Sequence, residues 1–393
     1  MKILVTGLGL ISAAGVNARE TLESFRAGKR NAGPVSLFDS KIKSPVFEVM
    51  NFSKHYFHER LRTQNLCLAA LEEALEDAGL KNSMKGRRIG VALGTTVGSI
   101  LNDLDFYRAY RENGKASMDA VDRYLQGNLA TVVHSFLKTA GPSVTVVNAC
   151  ASGADAVGTA MSWIRSGLCD MAIAGGADEM NRVPLCGFGA LGILSDSLCA
   201  PFDRDRTGLN LGEGAGVLVL ESEKSLKSRS GRARAVMRGY GTSNDAYHLT
   251  SPDPEGRGLE RAITGALHDA GLKASEISFI NAHGTATREN DFVEGRVLRR
   301  IFGERTPFIS TKGYTGHTLG AAGGLEAGFS ILVLENGWIP ASAGFKNRDP
   351  DIPVAPIAEL TSVDGRFSLS TSLGFGGCDA ALVFERTEGN GTL

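Results

Sequence analysis

One cysteine stands where an apolar run gives way to a helix of small residues. Val146-Val147-Asn148-Ala149-Cys150-Ala151-Ser152-Gly153-Ala154 continues through Met161, Trp163 and Ile164. A side chain at such a junction meets the unsatisfied N–H groups and positive end of a helix, which favour an anion. A thiolate is such an anion, and it is the nucleophilic form of cysteine. On this ground Cys150 should be the most readily alkylated cysteine at neutral pH. A lone cysteine is by default a small packing residue. Cys67, Cys169, Cys186, Cys199 and Cys378 lack this setting and read as structural.

Two histidines could serve that thiol. Asn281-Ala282-His283-Gly284-Thr285-Ala286-Thr287 follows the apolar run 277–280. Side chains at the carboxyl ends of parallel strands line sites in α/β folds. Ser310-Thr311-Lys312-Gly313-Tyr314-Thr315-Gly316-His317 places a lysine at the end of another strand and a histidine at the start of a Gly/Ala-rich helix. So few side chains means close approach of backbone or ligand. A lysine and histidine there point to an electrophilic site for a carbonyl or carboxylate. Singly, His283 reads as a core or capping histidine and Lys312 as a solvated charge. Together, one thiol and two imidazoles suit acyl transfer to sulfur followed by attack of a carbon nucleophile. A cysteine protease would need neither the second histidine nor the lysine.

The elements that must position these loops are repeated. Ala74-Leu-Glu-Asp-Ala-Gly-Leu-Lys81 recurs as Ala266-Leu-His-Asp-Ala-Gly-Leu-Lys273, seven of eight positions identical. Leu68, Leu71 and Leu75 space one amphipathic helix, and Leu259, Ile263 and Leu267 the other. Each glycine suits a helix C-terminus. Strand-like runs follow both copies, at 89–93 and 277–280. Further on, 144–147 leads to Cys150 and 307–310 to His317. Glycine-rich turns at 212–216 and 374–377 each precede a last strand. The basic, polar stretch 224–232 reads as the linker. A duplicated α/β unit follows, with strands buried on both faces, helices in layers and a site where the halves meet.

Composition bounds the rest. With 393 residues, 42 basic and 43 acidic, the chain has no global basic field for nucleic acid. Six scattered cysteines without a C-x-x-C pair exclude a zinc ribbon and argue for reduced thiols, hence the cytoplasm. No run approaches the roughly 20 apolar residues of a membrane helix. The N-terminal run is broken by Gly7 and Gly9 and reads as a buried strand, not a signal peptide. Gly7-x-Gly9 with Ser12 at the third position is too poor a match for a dinucleotide site.

At these residues the chain resembles the β-ketoacyl-acyl-carrier-protein synthases, in the synthase II-like branch of the thiolase superfamily. Seven ordered motifs carry the resemblance, among them Asn148-Ala-Cys-Ala-Ser-Gly153, Asn281-Ala-His-Gly-Thr285, Lys312 with Gly316-His317, and Gly374-Phe-Gly-Gly377. It implies a thiolase-like α/β fold of two similar halves in αβαβα layers, 1–228 with the cysteine and 229–393 with both histidines. It implies decarboxylative condensation of an acyl thioester with malonyl-acyl-carrier protein, without a metal or cofactor. Cys150 would carry the acyl chain. His283 and His317 would support decarboxylation, and Lys312 would position their loop. Backbone N–H groups of Cys150 and Phe375 would form an oxyanion hole, with Phe375 as a gate. Thr285 and Thr287 would bind the phosphopantetheine arm. Glu326 matches a buried acidic partner. Acyl carrier protein is the implied partner, and a homodimer the implied assembly, with no nucleic acid and no membrane insertion.

The sequence departs from the family at Gly313, where serine is usual, and at Cys378-Asp379, where Thr-Asn is common. In Arg288-Glu289-Asn290-Asp291 the usual glycine before the aspartate is absent. These departures point to a specialised lipid pathway, such as polyene synthesis. Two other readings stand beside this one. A thiolase-type enzyme would use a second, late cysteine as base, and Cys378 lies in that region. A chain-length-factor-like partner would be inactive, but such chains typically lack the cysteine. Because acyl carrier proteins are acidic, a local basic surface is expected, with Lys54, Arg60, Arg62, Arg204 and Arg206 as candidates.

Overall fold

The structure is a computed structural model, and it describes residues 1–50, 52, 61–80, 84, 87–96, 98, 104–139 and 141–387. Among these, one large sheet is built from β1 (Ile3–Ser12), β2 (Ile89–Gly94), β3 (Ser143–Val146), β4 (Met171–Asp178), β5 (Gly214–Ser222), β6 (Ala235–Asn244), β7 (Ile277–Asn281) and β8 (Phe308–Ile309). After a small separate pair, β9 (Trp338–Ile339) and β10 (Thr361–Ser362), the chain returns to it with β11 (Phe367–Gly374) and β12 (Cys378–Arg386).

The strand order is β3-β2-β4-β5-β1-β6-β12-β11-β7-β8. Read outward from the middle, both sides run alike. β1 and β6 pair antiparallel with β5 and β12, which pair antiparallel with β4 and β11. The outer strands, β2 and β3 on one side and β7 and β8 on the other, are parallel. The halves join in a short antiparallel ladder from Ile3↔Met237 to Val5↔Ala235. The duplication expected from the repeated octamer is therefore a duplication of sheet topology.

The repeat is explained by close packing of helix on strand. The helix Arg62–Asp77 lies on β1 and Arg257–Ala270 lies on β6. A Cβ on Gly7 would sit 2.1 Å from the Ala74 carbonyl oxygen, and one on Gly9 1.8 Å from that of Ala70. In the second half the same contacts recur, Gly239 with Ala266 at 2.3 Å and Gly241 with Ala262 at 2.1 Å. Gly7-x-Gly9 is thus a seat for a helix backbone. Gly79 and Gly271 end these helices with φ of 68° in both, the left-handed conformation that spares glycine its Cβ penalty.

Two further helices, Ser152–Arg165 and Ala322–Asn336, pack on each other and against both half-sheets as the middle layer. From Ala322 to Leu334 the second is buried on every side, as a helix enclosed by protein must be. Its glycines let it approach: a Cβ on Gly323 would lie 2.4 Å from the Ala154 nitrogen. With the outer helices this completes an αβαβα stack.

The stretch 224–232 joins β5 to β6, but it is not a loose tether. Glu223–Ser228 is a short helix capped by the Ser222 side chain, with Leu226 fully buried. Arg229 pairs with the buried Glu221 at 2.8 Å. The start of the Gly/Ala-rich helix is also corrected, from His317 to Ala322. Gly316 and Leu319 hold positive φ, 64° and 55°, so no helix can run through them.

Candidate active site

Cys150 sits on a strained turn between β3 and the helix Ser152–Arg165. Ala149 has φ of 47°, a conformation disfavoured for a residue with a Cβ. Ser152 holds the turn by accepting the Asn148 N–H at 2.8 Å and donating to the Ala149 carbonyl at 2.6 Å. Asn148 and Tyr240, from the other half, both donate to the buried Asp155 in the first turn of the helix. The result is a thiol only 5% exposed that lines a cleft opening to solvent.

His317 faces it, with Nε2 3.0 Å from Cys150 Sγ. Its backbone is pinned on both sides: its N–H donates to the Asn210 carbonyl at 2.8 Å, and its carbonyl accepts from Gly212 at 3.0 Å. His283 stands at the end of β7, its ring 5.2 Å from that of His317 and nearly perpendicular to it, at 87°. Burial and the Lys312 ammonium hold both imidazoles well below the ordinary histidine range, so both are neutral at neutral pH.

Lys312 does not line the cleft. It opens a short helix, Lys312–Thr315, where a strand end was expected. Its ammonium lies behind His283, donating to the His283 carbonyl at 2.6 Å and to Nδ1 at 3.2 Å. An ammonium has no lone pair to offer, so Nδ1 is the acceptor and the imidazole proton sits on Nε2, the nitrogen away from the lysine. The Glu326 carboxylate, buried in the middle helix, balances the Lys312 charge. Burial pushes that carboxyl up to about 7 against the pull of the lysine.

The fourth wall is the turn between β11 and β12. The Phe375 N–H is directed at the Cys150 sulfur, and the Phe375 ring packs on Phe188, centroids 5.4 Å apart. A Cβ on Gly374 would lie 3.1 Å from the Cys150 nitrogen, so glycine there leaves that N–H free for a ligand. Thr285 and Thr287 line the same cleft, their hydroxyls 2.9 Å apart.

Glu294 was not singled out in the sequence. It is fully buried, and its carboxylate accepts the N–H groups of His283 and Gly284, both at 2.8 Å, and the Thr371 hydroxyl at 2.7 Å. Its signal was an acidic residue on the apolar face of the helix Arg288–Phe302, between Val293 and Val297. Asp178 is a second such residue, accepting from both Thr95 and Thr96 hydroxyls and from the Gly320 N–H.

Other expectations change. Cys378 rests against the Asn244 side chain, with 3.7 Å between Sγ and Nδ2, and does not line the cleft. Glycine at 313 is a packing requirement, since a Cβ would meet the Ala343 carbonyl oxygen at 2.1 Å. The basic patch loses two members: Arg62 is bound to the buried Glu213, and Arg206 is 3% exposed, tied to Asp349 and Asp291. Arg204 is exposed and paired with Asp205. Lys54 and Arg60 lie outside the described residues.

A duplicated αβαβα fold that gathers this thiol and these two imidazoles around one cleft defines the thiolase-like condensing enzymes. Within that class, the chain belongs to the β-ketoacyl synthase family. Residues 1–225 match the N-terminal domain of β-ketoacyl synthase and 234–346 its C-terminal domain. A Synechocystis 3-oxoacyl-[acyl-carrier-protein] synthase 2 is 33% identical, over 98% of both chains. The ishigamide ketosynthase/chain length factor superposes with a TM-score of 0.94 at 33% identity, covering 98% of this chain and 99% of that one. A type II PKS acyl-carrier protein in complex with its ketosynthase gives 0.88 at 28% identity, covering 98% and 99%. Among the described residues, no helix is long and apolar enough to cross a membrane.

Proposed function

We propose that this chain catalyses decarboxylative Claisen condensation of an acyl thioester with malonyl-acyl-carrier protein. The product is a 3-oxoacyl-acyl-carrier protein for fatty-acid, polyene or related lipid synthesis. The observation that carries the reading is the Cys150–His317 contact of 3.0 Å with a second, lysine-backed imidazole beside it. A non-catalytic chain-length factor would have no use for that contact.

In the first half-reaction Cys150 attacks the acyl carbonyl. Its proton passes through His317 Nε2 to the departing pantetheine sulfur as the old thioester bond breaks. In the second, malonyl-carrier protein loses carbon dioxide, and the enolate oxygen takes hydrogen bonds from the neutral imidazoles once His317 has exchanged from the tautomer that accepts at Nε2 to the one that donates there. His283 Nε2–H is pre-oriented for this by Lys312. The enolate carbon attacks the Cys150 thioester, and the Cys150 and Phe375 N–H groups receive the tetrahedral oxyanion. Sulfur then leaves as the thiolate and takes up one proton from solvent, the proton that the decarboxylation consumes. Thr285 and Thr287 hold the phosphopantetheine arm, and Phe375 gates its entry. The cysteine belongs to the half 1–228 and both histidines to 229–393. Acyl carrier protein is the partner, the assembly is a homodimer, and the unpaired cysteines suit the reducing cytoplasm.

The test is mass spectrometry of protein incubated with acyl-carrier protein. An acyl group on the Cys150 peptide, absent in Cys150→Ala, supports the reading. Acylation elsewhere, or none, sinks it.

A further inference from the structure

Asp379 follows the Phe375 turn directly, 2% exposed in the cleft wall. Its Oδ2 is buried and meets no N–H or hydroxyl among the described residues. What faces it is another carboxyl. Asp245 Oδ1 and Asp379 Oδ2 lie 2.2 and 2.3 Å from one point, the place a Cβ on Gly258 would occupy. Asp245 is in turn fastened to the turn: its N–H donates to the Gly377 carbonyl at 2.8 Å, and a Cβ on Gly377 would lie 2.7 Å from its own Cβ. The next residues grip the same turn, Asn244 Nδ2 to the Gly376 carbonyl at 3.0 Å and the Gly376 N–H to the Leu249 carbonyl at 2.8 Å.

We infer that the Asp245–Asp379 carboxyl pair is a latch that positions the Phe375 turn. The inference rests on the condensing role proposed above. Asp379 is buried and Asp245 half-buried, and a carboxyl pressed against another carboxylate without water to screen it keeps its proton, so the pair holds one. Gly258 and Asp253 N–H groups donate to Asp245, at 3.2 and 2.9 Å, so the proton resides on Asp379, whose O–H donates to Asp245. Burial, then the charge of Asp245, pushes the Asp379 carboxyl up to about 8; Glu294 adds to this and Arg261 opposes it. Arg257, on the Arg261 helix, acts on Asp245. Cys378 and Asp155 complete the titratable surroundings. Above that pH the latch carries two negative charges, and the turn holding the Phe375 N–H is pushed off Asp245. Asparagine, the residue common in the family at this position, would supply a permanent N–H donor.

The test compares the holoprotein with Asp379→Asn, which keeps a donor at every pH, and Asp379→Leu, which has none. Carbon dioxide release from malonyl-carrier protein is measured at pH 7 and 9.5. The wild-type rate should fall by about tenfold or more between them, as an ionisation near 8 requires. Asp379→Asn should keep a ratio several-fold higher, and Asp379→Leu should be slow at both. A wild-type ratio in Asp379→Asn, or equal rates in the two variants, overturns the latch. Melting temperature gives a readout independent of catalysis. The folded carboxyl holds its proton to about 8, against 3.8 in the open chain, so its contribution to stability declines as pH rises between those values and then levels off. Asp379→Asn should lack that decline. If no protein releases carbon dioxide at any pH, the condensing role fails, and equal pH dependence of the two melting temperatures overturns the pair.

Discussion

Burial pushes the Cys150 thiol up to about 12, against the pull of Lys312 and of the Phe375 N–H. The helix terminus therefore does not deliver a thiolate at neutral pH, and the contact with His317 takes over as the route for its proton. Iodoacetamide labelling of Cys150 should accordingly rise from pH 7 to pH 9 without a plateau and slow further in His317→Ala. Exposed Cys186 should label first at pH 7. A plateau for Cys150 below pH 8 would restore the thiolate. For His283 the sign is opposite to an ordinary histidine. Its folded range lies well below 6.5, so the neutral, donating imidazole persists as pH falls. Decarboxylation should stay flat from pH 7 down to 5.5, across the value near 6.5 at which an ordinary histidine is half protonated. A drop centred there would remove the burial argument. Cys150 and His283 were legible because strand-to-helix junctions advertise them, and His317 because a stretch almost without side chains follows it. Glu294 and the orientation of Lys312 were not, because they depend on which side chains a buried face meets.

At the scale of elements, the octamer repeat and Gly7-x-Gly9 turn out to be one feature seen from two sides. The helix carries Ala74 and Ala70 to the strand, and the strand omits Cβ atoms to receive them. The sequence showed both halves of that contact without showing that they touch. Gly7→Ala and Gly239→Ala should each destabilise by about 1–3 kcal/mol, as overpacking a close contact does, measured by urea unfolding. Either variant unfolding like the wild type would mean that the helix moves freely off its strand. Arg62 illustrates the reverse error. Its position before the repeated helix suggested a surface charge, but its partner Glu213 is fully buried. Arg62→Ala should cost about 3 kcal/mol by leaving a buried carboxylate unpaired, a loss legible only from the folded chain.

For the whole molecule, topology was the most readable level, since duplication appears in sequence as order and needs no side-chain detail. The partner surface was the least, because exposure cannot be read from a chain of near-zero net charge. What remains exposed near Thr287 is Arg204 and Arg288. Reversing both charges should raise the KM for acyl carrier protein several-fold at low salt, and less at physiological salt, where the Debye length is about 8 Å. Turnover of a small pantetheine thioester should not change. A salt-independent KM that is indifferent to the two reversals would move the docking face. The central claim, that two imidazoles break a carbon–carbon bond beside an acylated thiol, meets its most direct test in carbon dioxide release. Enzyme preloaded on Cys150 is mixed with malonyl-carrier protein labelled in its free carboxyl, and released label is counted. Wild type should release it with formation of 3-oxoacyl product. His283→Ala should be slower by on the order of a hundredfold while still accepting the acyl group. Release at the wild-type rate from His283→Ala and His317→Ala alike would contradict the account.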